Sequence, residues 1–311
     1  MIAELIDPAI LGFILIGVML FSIFIGFPIS FTLIFLGFVF GYLGFGKLVF
    51  YLMTLQFSMV MTEQTLAAVP LFVFMGIMME QAGLMERLFS SVQMMLSRVR
   101  GSLFYAVLFV SIIFAAATGI VGASVTILGI MAAKSMNRSG YDVRLSAGTI
   151  TAGGTLGILI PPSTGLIIYA ILTEQSIGRL FMAGIIPGIL LTCLFLLAIA
   201  IVTKIKPEIG PVGPESSFIE KIKSLRRALA MVAIVVATIG GIYMGIFTPV
   251  EAAGVGALLA FCVALYRKSL DREKMTFVIL QTLQTTATVF MILIGAHVFI
   301  PFMALTHIPA D

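Results

Sequence analysis

Two clusters of small, uncharged residues hold the groups best suited to chemistry in this chain. The first is Thr118, Gly119, Gly122, Ala123 and Ser124; the second is Thr151, Gly153, Gly154, Thr155, Gly157, Pro161, Pro162 and Ser163. Hydroxyl oxygens, and carbonyls released where glycine and proline interrupt a helix, are hard donors suited to a cation such as sodium. The amino ends of interrupted helices carry a positive dipole end that suits an anionic group on a substrate. Small residues also let membrane helices pack closely, which is their usual role. For any single Ser or Thr the packing reading is the simpler one; two clusters, each at a break in an apolar run, favour a site.

The remaining reactive groups are few. His297 is the one ionisable residue well inside an apolar run, either a functional group by default or a neutral histidine in an interhelical hydrogen bond. Glu251 follows Pro249 and reads as part of a helix cap, while Glu63 and Glu80 flank a span at its two boundaries. Cys193 and Cys262 read as small buried hydrophobes. No HExxH, GxSxG, P-loop or CxxC pattern occurs, and with only two histidines a metal or histidine-based catalytic site lacks partners. The chain reads as no enzyme and calls for no cofactor beyond a coupling ion.

These residues sit in a chain of 311 residues that is 60% hydrophobic and 10% charged, with a mean hydropathy of +1.19. Soluble domains run about 45–50% apolar and about 25% charged, so the elements that position the clusters are membrane helices. The fold class is an all-α polytopic membrane protein, with length for about ten spans. A soluble enzyme, a nucleic-acid binder and a secreted disulfide scaffold are excluded. The sequence pI of 9.1 reads as topogenic Lys and Arg rather than an acidic partner. Glu4 and Asp7 argue against a secretory signal, and the N-terminus reads as retained.

Two helices are expected over 9–46 with a turn at Gly26-Phe27-Pro28, an interfacial arm over 47–64, a span over 65–79 and an amphipathic connector over 80–100. As a single helix, 101–133 would measure about 50 Å against roughly 30 Å of hydrocarbon. It must break at 118–124, and with basic residues at both ends it reads as a re-entrant hairpin over 101–137; two full spans with a tight outer turn are the alternative. The run 145–173 reads as a broken helix, unwound around Gly157 to Ser163. Helices follow over 181–203, 228–244, 250–266 and 285–303. With the N-terminus outside, Lys47 and Arg179 fall outside and the other sixteen of the 18 Lys and Arg fall inside, as the positive-inside rule requires.

Gly26-Phe27-Pro28 with Gly37 is echoed by Gly245, Pro249 and Gly256, and 65–76 by 285–295, at offsets of 219 and 220 residues. The copies are inverted on this topology, a plan recurrent in secondary transporters. Residues 1–206 then form a first repeat, 207–225 a cytoplasmic linker rich in Pro and Gly, and 226–311 the start of a second.

The runs Phe114 to Ala132, Ser139 to Asp142 and Ala147 to Ser163, with Phe181 to Gly188 and Gly245 to Ala253, resemble the large membrane subunit of tripartite ATP-independent periplasmic (TRAP) transporters over essentially the whole chain. The resemblance implies a sodium-driven elevator-type importer of organic acids, such as C4-dicarboxylates, 2-oxo acids or sugar acids, in a bacterial inner membrane with a periplasmic N-terminus. It implies two partners beside membrane lipid: a small membrane subunit and a periplasmic substrate-binding protein that delivers the solute. Sodium and substrate in the family bind between hairpin tips and unwound helices. These match Thr118, Gly119, Gly122 and Ser124, and Gly154, Thr155, Gly157, Pro161 and Ser163, with Gly119, Gly122, Ser124, Thr155 and Gly157 as the sodium candidates. The family is longer, so a second hairpin and broken helix are expected beyond Asp311 and the second repeat reads as incomplete. The alternatives are a standalone sodium and anion symporter of related plan, a channel and, least, an intramembrane enzyme.

Overall fold

The structure is a computed structural model that describes residues 8–118, 121–213 and 217–304, without the side chains of 8, 9, 115–118, 121–124, 218 and 227. Among these residues regular structure is helical: α1 (Pro8–Ile25), α2 (Ile29–Phe45), α3 (Leu48–Thr62), α4 (Ala68–Gln81), α5 (Leu84–Met95), α6 (Ser102–Thr118), α7 (Val121–Leu128), α8 (Lys134–Arg138), α9 (Val143–Leu159), α10 (Thr164–Leu172), α11 (Ile177–Ile205), α12 (Phe218–Tyr243), α13 (Pro249–Tyr266) and α14 (Arg272–Ala304). A π-helical stretch, Gly129–Ala133, joins α7 to α8.

Five segments are long and apolar enough to cross a membrane, counting α4 with the 3-10 turn Gln64–Ala67 before it as one and α9 with α10 as one, and six if the bent α12 is included. Their outer surfaces are apolar: on α11, Ile186, Ile189, Leu190, Leu194 and Leu197 are all exposed. Water would penalise such a surface and hydrocarbon does not, so the chain is a multi-pass membrane protein. The same logic corrects the reading of the cysteines. Cys193 and Cys262 are free and exposed, because a thiol is apolar enough to face hydrocarbon as readily as a protein core.

The turns follow from local chemistry. Gly26 has φ +102°, open to glycine alone at low cost, and Pro28 then fixes φ at −59° for entry into α2. Between α12 and α13, Gly245 has φ +70°. There Thr248 accepts a hydrogen bond from the Glu251 N–H, while the Glu251 carboxylate accepts from the Thr248 N–H at 2.8 Å and its hydroxyl at 2.9 Å. This is a capping box with Pro249 in the first turn.

The chain forms two compact units, Met1–Gln64 with Leu283–Asp311, and Thr65–Thr282. In the first, α14 packs on α2 where glycine permits it. A Cβ on Gly37 would lie 2.9 Å from Val298, one on Gly41 would meet the Phe302 ring, and one on Gly295 would lie 3.0 Å from the Ser30 carbonyl. In the second, α4 packs along α13, and a Cβ on Gly256 would meet Met75 and lie 2.5 Å from Thr238. Gly37 and Gly256, 219 positions apart, thus do the same job: each admits a helix far from it in the chain.

Within the second unit, α5 and α12 meet through a buried serine pair. The Ser224 hydroxyl donates to Ser91 Oγ at 2.9 Å, and the Ser91 hydroxyl reaches the Ser224 carbonyl at 2.7 Å. The Pro/Gly-rich stretch after α11 is a strap. The Gly101 N–H donates to the Gly210 carbonyl at 3.1 Å, and the Asp142 N–H to the Ile209 carbonyl at 3.1 Å. Buried Tyr141 donates to the Pro211 carbonyl at 2.8 Å, accepts from the Leu103 N–H at 3.3 Å and stacks edge-on against Phe104. Ser217 opens α12 in a capping box with Glu220. Residues 218–225 are therefore the first turns of α12.

Candidate functional site

The second cluster lies on α9, the break after it and α10. Asp142 caps α9 by accepting from the Leu145 N–H at 2.8 Å. The helix then runs through Leu159, two residues beyond Gly157, and its last intrahelical bond is from the Ile160 N–H to the Leu156 carbonyl at 2.9 Å. The unwound stretch is Ile160 to Ser163, shorter than the sequence suggested. A proline ring crowds the residue before it out of the helical region, and Ile160 accordingly sits at φ −85° and ψ 118°. The Pro161–Pro162 peptide bond is cis. Neither proline has an N–H, so the Gly157 and Ile158 carbonyls lose their helical donors. Ser163 is 0% exposed and caps α10, its Oγ accepting from the Leu166 N–H at 3.4 Å. The break thus joins the carbonyl end of α9 to the amino end of α10, two half-helix dipoles of opposite sign.

Two adjacent glycines bring the arms of the first cluster onto α9. A Cβ on Gly153 would collide with Ser111 of α6, and one on Gly154 with Val125 of α7. Both α6 and α7 pack on α9 in consequence. Thr155, one residue on, is half-buried, and its hydroxyl donates to the Ala152 carbonyl at 2.7 Å. That bond uses the proton and leaves the oxygen lone pairs able to accept a cation. Thr151 is exposed and bonded to the Ala147 carbonyl at 2.9 Å, as a helix-surface threonine. From the first cluster, Thr118 ends α6 while Gly122, Ala123 and Ser124 lie in the first turn of α7. Gly119 and the side chains at 118 and 122–124 lie outside the described residues.

Behind the break is a cavity of about 400 Å³ lined by Phe109, Ile112, Pro161, Ile189, Thr192 and Tyr243, among others. Its two hydroxyls are engaged, Thr192 with the Gly188 carbonyl at 2.8 Å and Tyr243 with the Phe181 carbonyl at 3.5 Å. The wall offers a carboxylate no donor, so this cavity is apolar space and not an acid-binding pocket. Gly184 and Gly188 of α11 hold the break from the same side. A Cβ on Gly184 would come within 2.5 Å of the Leu159 carbonyl, and one on Gly188 within 2.9 Å of Ile160.

His297 Nδ1 lies 3.1 Å from the Leu293 carbonyl, one turn back on its own helix, so its bond is intrahelical rather than between helices. The sequence reading used Thr286 only as part of the repeat. Its hydroxyl is buried and, among the described residues, is the side-chain polar atom left without a hydrogen-bond partner. Composition gives no sign of that; only the packing of α14 does.

Residues 16–311 match the family model for the DctM component of tripartite ATP-independent periplasmic transporters. The chain is 37% identical over 246 residues to the C4-dicarboxylate TRAP transporter large permease protein DctM of Pseudomonas aeruginosa, covering 79% of this chain and 57% of the relative. It is 33% identical over 297 residues to the sialic acid TRAP transporter large permease protein SiaM of Vibrio cholerae, covering 92% and 67%. With the ectoine TRAP transporter large permease protein TeaC of Halomonas elongata it shares 29% over 300 residues, 95% of this chain and 69% of the relative. The chain therefore spans a little over half to about two thirds of the length of these relatives. They are transporter permeases and not enzymes, and the chain belongs to the family of DctM-type large permease components of TRAP transporters.

Proposed function

We propose that this chain forms part of the permease for sodium-coupled uptake of an organic acid across a bacterial inner membrane. A periplasmic binding protein would deliver the solute, and a small membrane subunit would complete the permease. The observation that carries this reading is the break at Ile160–Ser163. There freed carbonyls and the oxygen of Thr155 offer hard ligands to sodium, and the amino end of α10 offers a positive dipole to a carboxylate. Gly119, Gly122 and Ser124 would complete the sodium contacts from the hairpin side.

Residues 1–206 and 218–311 are read as inverted repeats, joined on the cytoplasmic side by the strap before α12, with the N-terminus periplasmic. The equivalent packing at Gly37 and Gly256 supports that reading. The hairpin is read as re-entrant because α6, with 17 residues, is about 25 Å long, short of a full crossing. An elevator needs one body to carry the site while another stays fixed, and the division into two compact units is consistent with that requirement. The named relatives carry C4-dicarboxylates, sialic acid and ectoine, so the family fixes the machinery more than the solute.

The test is uptake into proteoliposomes holding the permease with its small subunit. A C4-dicarboxylate, a 2-oxo acid and a sugar acid would each be offered with the cognate binding protein. Uptake of one of them should require an inward sodium gradient and the binding protein. Equal uptake with potassium in place of sodium would overturn the coupling, and equal uptake without the binding protein would favour a standalone symporter.

A further inference from the structure

We propose that the first turns of α12 are an anchor for anionic phospholipid, with Lys223 and Arg226 holding the headgroup phosphate. The proposal needs α12 to sit in a bilayer and does not depend on the uptake reading. Three observations carry it. The segment Ile219–Arg226 turns 48° away from the span Ala228–Tyr243, so the two cannot both lie along one membrane normal. One face of the segment is fixed to the protein: Ser224 bonds Ser91 on α5, and the Lys221 ammonium donates to the Met95 carbonyl at 3.4 Å, at the end of α5. The opposite face is apolar and uncovered, with Ile219 75%, Ile222 55% and Leu225 45% exposed.

Those three apolar residues recur every three positions and so form one stripe on a helix. Lys223 and Arg226 are exposed at its edge, and among the described residues no carboxylate pairs with them. Glu220, the acid of this segment, is engaged in the cap of Ser217 at 2.9 Å. A helix with an apolar stripe edged by unpaired basic residues lies in the membrane interface, its stripe in the acyl boundary and its cations among the headgroups. Charge decides which lipid it gathers. Neutral headgroups offer Lys223 and Arg226 a phosphate already balanced by its own ammonium, whereas an anionic headgroup offers a net charge, with a preference of about five-fold per basic residue.

The chain contains no tryptophan, so Ile222→Trp places a single fluorescent reporter on the stripe. The protein would be reconstituted in phosphatidylcholine vesicles containing equal mole fractions of either brominated phosphatidylglycerol or brominated phosphatidylcholine. The brominated anionic lipid should quench the introduced indole at least about five-fold more effectively. The advantage should shrink at 1 M salt, where the Debye length falls to about 3 Å. Adding Lys223→Gln and Arg226→Gln should erase it, and Lys223→Arg should keep it. Equal quenching by the two lipids, or a preference that survives both glutamine substitutions, would overturn the proposal. Absence of quenching by either lipid would overturn it as well, since the stripe would then face protein or water.

Discussion

Gly154 and Thr155 are neighbours in sequence with different surroundings. Gly154 has no room for a side chain because Val125 occupies that space, so Gly154→Leu must push α7 away from α9. Overpacking of this kind costs typically 1–3 kcal/mol, and a lowered melting temperature in detergent together with loss of uptake is the expected result; an unshifted melt would remove Gly154 from the packing account. Ser163 is different again. It caps α10, and Ser163→Ala should cost about 1 kcal/mol, measurable as a small drop in denaturation midpoint. The sequence pointed to these positions because Gly, Thr, Ser and Pro cluster there, but it could not divide them by task. A glycine that admits a neighbour and a glycine that frees a carbonyl are spelt alike, and the difference resides in Ser111 and Val125, which are distant in the chain. The cysteines show the converse error. Their apolar surroundings in sequence suggested burial, whereas in a membrane protein apolar surroundings also describe the outside.

At the scale of elements, the break between α9 and α10 was legible because two prolines in an apolar run have few other uses. Its length was not, since Gly157 is compatible with helix and only the steric effect of Pro161 on Ile160 sets the boundary. Restoring the donors with Pro161→Ala and Pro162→Ala should let the helix continue and recapture the Gly157 and Ile158 carbonyls. The expected outcome is a protein at least as stable in thermal melts that no longer transports, and unchanged uptake would show that the break is dispensable. The packing of the strap was not legible: Pro207 to Gly213 has the composition of a linker, and nothing local announces that its carbonyls are acceptors for Gly101, Tyr141 and Asp142. Tyr141→Phe keeps the stacking on Phe104 but leaves the Pro211 carbonyl and the Leu103 N–H without their partner. The loss should be about 1–3 kcal/mol in stability, with the sodium dependence of uptake unchanged if the strap only braces the base of α6.

For the whole molecule, the repeat seen in the sequence and the compact units seen in the structure do not coincide, and the reason is physical. A repeat is inherited as a run of chain, whereas a unit is whatever packs, and α4 packs on α13 while the end of α14 packs on α2. On the proposed repeat each copy would complete the other's core, an arrangement that no local pattern of hydrophobicity could announce. Charge enters at this scale only through the proposed topology, on which sixteen of the 18 Lys and Arg fall on one side. The central claim is that the freed oxygens beside α9 hold the coupling ion. Equilibrium binding of radioactive sodium to the purified protein in detergent tests it without any substrate or partner. Saturable binding is predicted, weakened about ten-fold or more, equivalent to about 1.4 kcal/mol, both by Thr155→Val, which removes an oxygen, and by the Pro161→Ala, Pro162→Ala pair, which returns two carbonyls to the helix. Isotherms for both variants that superimpose on that of the unaltered protein would contradict the account.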